Sequence, residues 1–202
     1  MAVPAVSVVT PTWHRHDLLL SRCIPSVQAQ TWPLIEHVIV SDGPDPELQD
    51  VLSHSVPWAS GVTFAQLPEH DEAARWGHHA RLRALELAQG EYICYLDDDN
   101  AFRPQHVELL VAALEEHPEA GFAYSVIQMN GHGEPYPVGA DPPYLGGIDT
   151  SAIMHRRGLL EVASWRCNGH QQTVDWDLVA RWVQAGVTWA FVHEVTADYY
   201  FS

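Results

Sequence analysis

Positive charge is scarce in this sequence. Its 10 lysine and arginine residues face 26 aspartates and glutamates over 202 residues, a formal charge of -16. Such an acidic chain does not suit a nucleic-acid backbone or an anionic membrane surface as its main partner. A phosphorylated ligand would need a divalent cation or a few well-placed arginines to offset the repulsion locally. Cysteine is nearly absent too. Cys23, Cys94 and Cys167 are odd in number, far apart and without zinc-ligand spacing, which argues for a reducing compartment and buried thiols. Long apolar runs are missing: the opening MAVPAVSVVTPT lacks a basic start, and no stretch approaches the roughly 18 apolar residues of a membrane span. These absences predict a cytoplasmic protein without a transmembrane segment. The length allows one domain, residues 1–202, with a real core.

What is present alternates. Val6–Thr10 (VSVVT) reads as a buried strand, and Asp17–Gln30 has helical apolar spacing that Pro25 should kink or stop. His37–Val40 is a second strand running into the turn SDGPDP, followed by a short acidic helix from Pro46 to His54. Val62–Leu67 is a third strand. Asp71 is placed to cap a helix over Glu72–Ala88, which Gly90 ends. Tyr92–Leu96 (YICYL) has the marks of a central strand. A helix over Arg103–His117 follows, then a strand over Phe122–Met129. Asn130–Gly147 holds five glycines and four prolines and reads as a long loop. Ile148–His155 is extended, Val174–Gln184 is helical, and Val187–Val192 is a last strand with His193 at its exit. This order predicts an α/β fold with an open, mostly parallel sheet flanked by helices. Its second half, from about residue 101, is irregular, as expected of loops that form a substrate site. No repeat, low-complexity tract or linker interrupts it.

Asp97-Asp98-Asp99 ends the YICYL run. On an extended segment the side chains at i and i+2 point the same way, so Asp97 and Asp99 are placed to share one cation. Carboxylate oxygens suit Mg²⁺ or Mn²⁺, which would also hold a diphosphate. Ligands of open α/β sheets sit beyond the carboxyl ends of the strands, where these residues fall. The alternative is a solvated acidic turn that caps a helix.

Together these segments resemble inverting glycosyltransferase family 2, whose members have the GT-A fold. The resemblance lies in VSVVTPTWHR (Val6–Arg15), VIVSDGPDP (Val38–Pro46), AAR (Ala73–Arg75), YICYLDDDN (Tyr92–Asn100), GIDTSAIMHR (Gly147–Arg156) and VDWDLVARWVQAG (Val174–Gly186). It implies a nucleotide-sugar donor, with UDP favoured. Thr10, Pro11 and Arg15 would line the nucleotide pocket, and Asp42 would face the base unless it only makes its own turn. Arg75 would lie near base or phosphates. Asp97 would lie by ribose and metal, Asp98 beside the donor, and Asp99 would be the direct metal ligand. His193 would complete the metal site. The family's asparagine and glycine after the arginine are replaced here by Trp76-Gly77-His78-His79.

The resemblance also implies single displacement with inversion, which calls for a base on the acceptor hydroxyl. The family's second acidic residue before its tryptophan matches Asp175. Val174 holds the first acidic position, and Asp175 could instead be a helix N-cap or Asp177 the base. Asp149, Thr150 and Trp176 are acceptor-side or sugar-binding candidates, as is His132. Eight tryptophans suit sugar stacking or plain core packing. The acceptor is a hydroxyl of a small molecule, glycan or protein. The lack of membrane helices or an evident C-terminal extension points away from a processive synthase. A nucleotidylyltransferase would need a glycine-rich basic loop after the first strand, which this chain does not have. A noncatalytic sugar- or partner-binding domain would leave the aspartates without a shared purpose.

Overall fold

The computed structural model describes residues 5–54, 61–72, 77–131, 133–165 and 174–201. Arg75, Trp76, His132 and Cys167 lie outside these segments. β1 (Val6–Thr12) is buried along its whole length, which is why VSVVT shows no apolar–polar alternation. It pairs in parallel with β2 (Ile35–Ser41) on one side and β4 (Tyr92–Tyr95) on the other, and β2 pairs in parallel with β3 (Val62–Gln66). The sheet order is β3-β2-β1-β4-β8-β6-β9-β5, with the short β7 (Tyr136–Val138) on β6.

Past β4 the sheet becomes mixed. β8 (Ile153–Arg156) runs antiparallel to both β4 and β6 (Ala120–Asn130), while β6 pairs in parallel with β9 (Thr188–Tyr200). β5 (Ala101–Phe102) closes antiparallel onto β9. Helices cover the sheet. α4 (His78–Leu87) packs on β1 and β2, and α5 (His106–Glu116) packs on β6 and β9. α6 (Val174–Gln184) lays the fully buried Trp182 against the rings of Phe122 and His155. Among the described residues, no helix is long and apolar enough to cross a membrane.

Several boundaries differ from the sequence reading. The segment with Pro25 does not stop: α1 (His16–Leu18) passes through a π turn (Leu19–Cys23) into α2 (Ile24–Gln28). Pro25 falls in the first turn of α2, where a missing N–H costs little. α4 begins at His78 and not at Glu72, after Gly77 at φ +62. A side chain at Gly77 would lie 2.6 Å from Pro11 Cβ, so glycine is required both by the backbone and by close packing on β1. α3 (Pro46–His54) and α6 match the sequence reading residue for residue. β9 does not end at Val192: it bulges where Val192 and Val195 face adjacent residues of β6, then continues to Tyr200. His193 is therefore inside a strand, at a bulge, and not at a strand exit.

Candidate active site

The site begins where two strands part. β1 and β4 stay together through Val9 and Tyr95, and their last link is Leu96 N–H to Val9 O at 3.0 Å. Beyond that point β1 follows β2 to Thr12 opposite Ser41, while the chain after Tyr95 turns away. β2 and β3 were laid down on one side of β1 and β4 on the other. This is a topological switch point, where open α/β sheets hold ligands.

The three aspartates occupy the mouth of that crevice, but not as an extended segment. β4 ends at Tyr95, and Asn100 N–H bonds Asp97 O at 3.1 Å, which makes 97–100 a turn. The i, i+2 argument from an extended segment therefore does not apply here, and Asp97 and Asp99 pair with different arginines. Asp97 pairs with Arg81 at 2.9 Å. Asp98 is buried, accepts the Thr12 hydroxyl at 2.7 Å and lies 3.6 Å from Arg15. Asp99 is buried and ion-paired with Arg15, and Arg22 donates to its carbonyl at 2.5 Å. Burial pushes the Asp98 carboxyl up to about 6, with Asp99 and Asp97 adding to it and Thr12 and Arg15 opposing.

Two further acids come to this turn from distant segments. Asp149 caps the short 3₁₀ turn Thr150–Ala152 by accepting Ser151 N–H at 2.8 Å. Its carboxyl is pushed up to about 7 by burial, then by Asp97 and Asp175. Asp175 stands in the first turn of α6. Burial raises its pKa and the nearby Asp97 raises it further, while the Trp176 amide and Arg81 pull it down. Asp97, Asp149 and Asp175 thus converge, with Arg81 as the cation among them. Arg81 is itself buried, its guanidinium 4.5 Å from the Trp165 ring centroid. Thr150 is buried beside this turn, where Ser151 meets Asn100, and Trp176 is half-buried against the core.

Thr12, Arg81 and Tyr199 are absent from the sequence reading. Burial raises the Tyr199 pKa, with Asp149, Asp97 and Asp99 adding to it. The available signal for Arg81 was its place on the apolar stripe of α4, beside Ala84 and Leu85. Thr12 and Tyr199 carry no local signal.

On the other side of β1, Asp42 is buried after β2. Its Oδ2 lies 3.1 Å from His70 Nδ1, and its Oδ1 has no hydrogen-bond partner among the described residues. Burial lifts its pKa although His70 opposes this. Trp13 stacks on His70, ring centroids 4.5 Å apart. A side chain at Gly43 (φ +133) would come within 2.6 Å of the Trp13 ring. Pro11 packs on Gly77. Thr10 points into the core, where it has no exposed surface and its hydroxyl is 2.8 Å from His37 Nε2.

Among the described residues, one group of histidine and acid ligands is already assembled, and it is His14, His16 and Asp45. His193 does not join Asp97 and Asp99 in such a group. It is exposed on the β9 bulge, edge-on to Phe191. The part of β9 that meets the acidic turn is Tyr200, whose N–H bonds Asn100 Oδ1 at 2.9 Å.

The sequence model described as Glycosyl transferase family 2 matches residues 7–167. CgeD of Bacillus subtilis is 28% identical over 178 residues, which cover 82% of this chain and 41% of CgeD. Two solved structures share the fold. TarS 1–349 of S. aureus in complex with UDP-GlcNAc gives a TM-score of 0.76 at 17% identity, over 98% of this chain and 59% of TarS 1–349. The mannosyltransferase PcManGT from Pyrobaculum calidifontis, in complex with GDP-Man and Mn2+, gives 0.74 at 17% identity, over 98% and 57%. The chain thus spans less than two thirds of each of these three proteins.

Proposed function

The chain belongs to glycosyl transferase family 2, and from that premise we propose that it moves a glycosyl group from a nucleoside-diphosphate sugar to an acceptor hydroxyl, inverting the anomeric carbon. UDP is the favoured carrier. The reading treats residues 1–202 as one domain. The first hundred or so residues hold the nucleotide, and the remainder supplies the acceptor side and the base. The observation that carries it is the meeting of Asp97, Asp149 and Asp175, from three separate segments, at the β1–β4 switch point.

In this reading Asp42 turns its unpartnered Oδ1 to the base, between Trp13 and Pro11. Arg75, outside the described residues, approaches base or phosphates. Thr10 serves as backbone only, because its hydroxyl is held by His37. Mn²⁺ or Mg²⁺ is held by Asp99 and Asp97. The residues fit such an ion: hard oxygen donors crowd here, and the raised pKa of Asp98 shows the cost of keeping them charged together. When bound, the ion supplies positive charge beside the diphosphate and steadies the leaving group. His193 was the expected third ligand. It lies exposed on the β9 bulge, edge-on to Phe191. Arg15, released from Asp99, turns to the phosphates.

Asp175 takes the acceptor proton. The acceptor oxygen forms its bond to the anomeric carbon as the bond to the diphosphate oxygen breaks, and the electron pair leaves with the diphosphate. A base in water needs a raised pKa to accept that proton efficiently, and burial together with Asp97 provides one. Asp149, Thr150 and Trp176 border the acceptor's approach. The acceptor is a hydroxyl of a small molecule, a glycan or a protein. Calorimetric binding of UDP, GDP and dTDP, each with Mn²⁺ or with chelator, tests the donor side. One nucleotide should bind in a metal-dependent way, and Asp99→Ala should abolish that binding. Failure of all three to bind the folded protein with metal present overturns the reading.

A further inference from the structure

We propose that His14, His16 and Asp45 form a second cation site, suited to borderline ions such as Zn²⁺ rather than Mg²⁺, whose histidines flank Arg15 in sequence. It stands whether or not the chain transfers sugar. One ligand atom from each residue lies within 4.8 Å of the other two, the one group of its kind among the described residues.

The carboxylate is built in and oriented. Asp45 is buried, and its Oδ1 accepts Leu48 N–H at 3.0 Å at the start of α3. That leaves Oδ2 facing His16 Nε2 at 2.7 Å. One oxygen fixed by backbone and the other offered to the site is how an outer partner orients a metal ligand.

The histidines are gathered by the backbone. His14 adopts φ +52, a left-handed conformation uncommon for a residue with a side chain and most often kept where function needs it. The two imidazole centroids then stand 6.4 Å apart. His14 is exposed and His16 half-buried, so an ion has access. Two imidazoles with one carboxylate suit Zn²⁺, Co²⁺ or Ni²⁺ and leave a coordination position open, whereas the all-oxygen acidic turn suits Mg²⁺ or Mn²⁺. Arg15 sits between the two histidines in sequence and pairs with Asp98 and Asp99. An ion held at His14 and His16 therefore stiffens the backbone from which Arg15 reaches the acidic turn.

The test is calorimetric titration of the full chain with Zn²⁺, without nucleotide, in wild type, His14→Gln, His16→Gln and Asp99→Asn. Circular dichroism confirms that each variant is folded. The expected result is a Zn²⁺ step that excess Mg²⁺ does not displace. Each histidine variant should weaken it by about 10-fold or more, and Asp99→Asn should leave it in place. Absence of the step, its undiminished affinity in either histidine variant, its displacement by Mg²⁺, or its loss in Asp99→Asn overturns the proposal.

Discussion

Buried polar groups occupy both the heart of this sheet and its carboxyl edge, and the two regions handle them in opposite ways. In the heart three histidines, His37, His106 and His155, are neutral and bonded to neutral neighbours. His155 Nδ1 lies 2.8 Å from Arg156 O, so it carries the proton, and Nε2 accepts the Tyr95 hydroxyl at 2.7 Å. His106 reaches Thr196, which reaches Ser125, and His37 reaches Thr10. At the edge, Asp97, Asp98 and Asp99 pair with two arginines, Arg81 and Arg15, and burial and the charge of Asp97 raise the pKa of Asp149 and Asp175 from two other segments. Hydrogen bonds between neutral partners cost little to bury. Like charges held together raise one another's pKa and oppose folding. The heart is arranged for stability, and the edge stores repulsion that a cationic ligand relieves. Such a trade of stability for activity is common at functional sites.

The largest expected effect breaks the edge without touching the heart. Asp175→Asn keeps the shape of α6 and still accepts the Trp176 amide, but it cannot take a proton. Transfer rate should fall by about 10²–10⁴-fold, the usual contribution of a general base. Donor binding, measured by calorimetry, should be unchanged. A loss of donor binding equal to the loss of rate would mean that Asp175 holds the nucleotide side together instead.

How far each region was legible follows from the same contrast. VSVVT and YICYL announce central strands because both of their faces are buried. α3 and α6 are legible at both ends because each pairs a clear start with an apolar stripe. β9 was cut short because the bulge exposes His193 and Glu194, which look like the end of a strand in a linear reading. β7 was missed because Tyr136-Pro137-Val138 sits in a tract dense in proline and glycine. At the edge, the aspartates were visible by type and order. Of their partners Arg15 was visible, but Arg81 and Thr12 were not, because they reach the aspartates through helix placement and register. Asp45 joins His14 and His16 only because β1 and β2 pair in the register that brings Thr12 opposite Ser41. The conformation around Asp97 and Asp99 was not legible for a local reason: a turn closed by Asn100 stands in place of an extended segment.

Acid sharpens the comparison at a smaller scale. Burial holds His155 down at about 4, and His37 and His106 at about 3, against an ordinary 6.5. Below pH 6.5 the unfolded chain takes up protons that the folded heart refuses, so stability falls as pH drops. The loss is about 2 kcal/mol per histidine at pH 5. Asp98 at about 6 and Asp149 at about 7, against 3.8, act in the other direction. Between those values and 3.8 the folded chain holds protons that the unfolded chain releases, so acid relieves the edge. Urea unfolding between pH 8 and pH 5 should therefore show a smaller loss than the three histidines alone would give. A loss as large as theirs would mean that the fold does not raise the pKa of the edge carboxylates above its ordinary value.

The smallest effect isolates one carboxylate. Asp149→Asn retains an oxygen for Ser151 N–H and removes a charge that burial, Asp97 and Asp175 all disfavour. With its folded pKa above the unfolded one, the ionised carboxyl destabilises most above pH 7. That penalty shrinks as pH falls towards 3.8. The variant should melt at least about 2–4 °C higher than wild type at pH 8, the shift produced by one kcal/mol in a chain of this size. The gap should narrow steadily down to pH 5. Adding Mn²⁺ at pH 8 should also narrow it, because an ion on Asp97 and Asp99 offsets the repulsion in wild type and has less left to offset in the variant. A melting gap that ignores both pH and Mn²⁺ would mean that Asp149 acts through packing, and the edge would then be no different in kind from the heart.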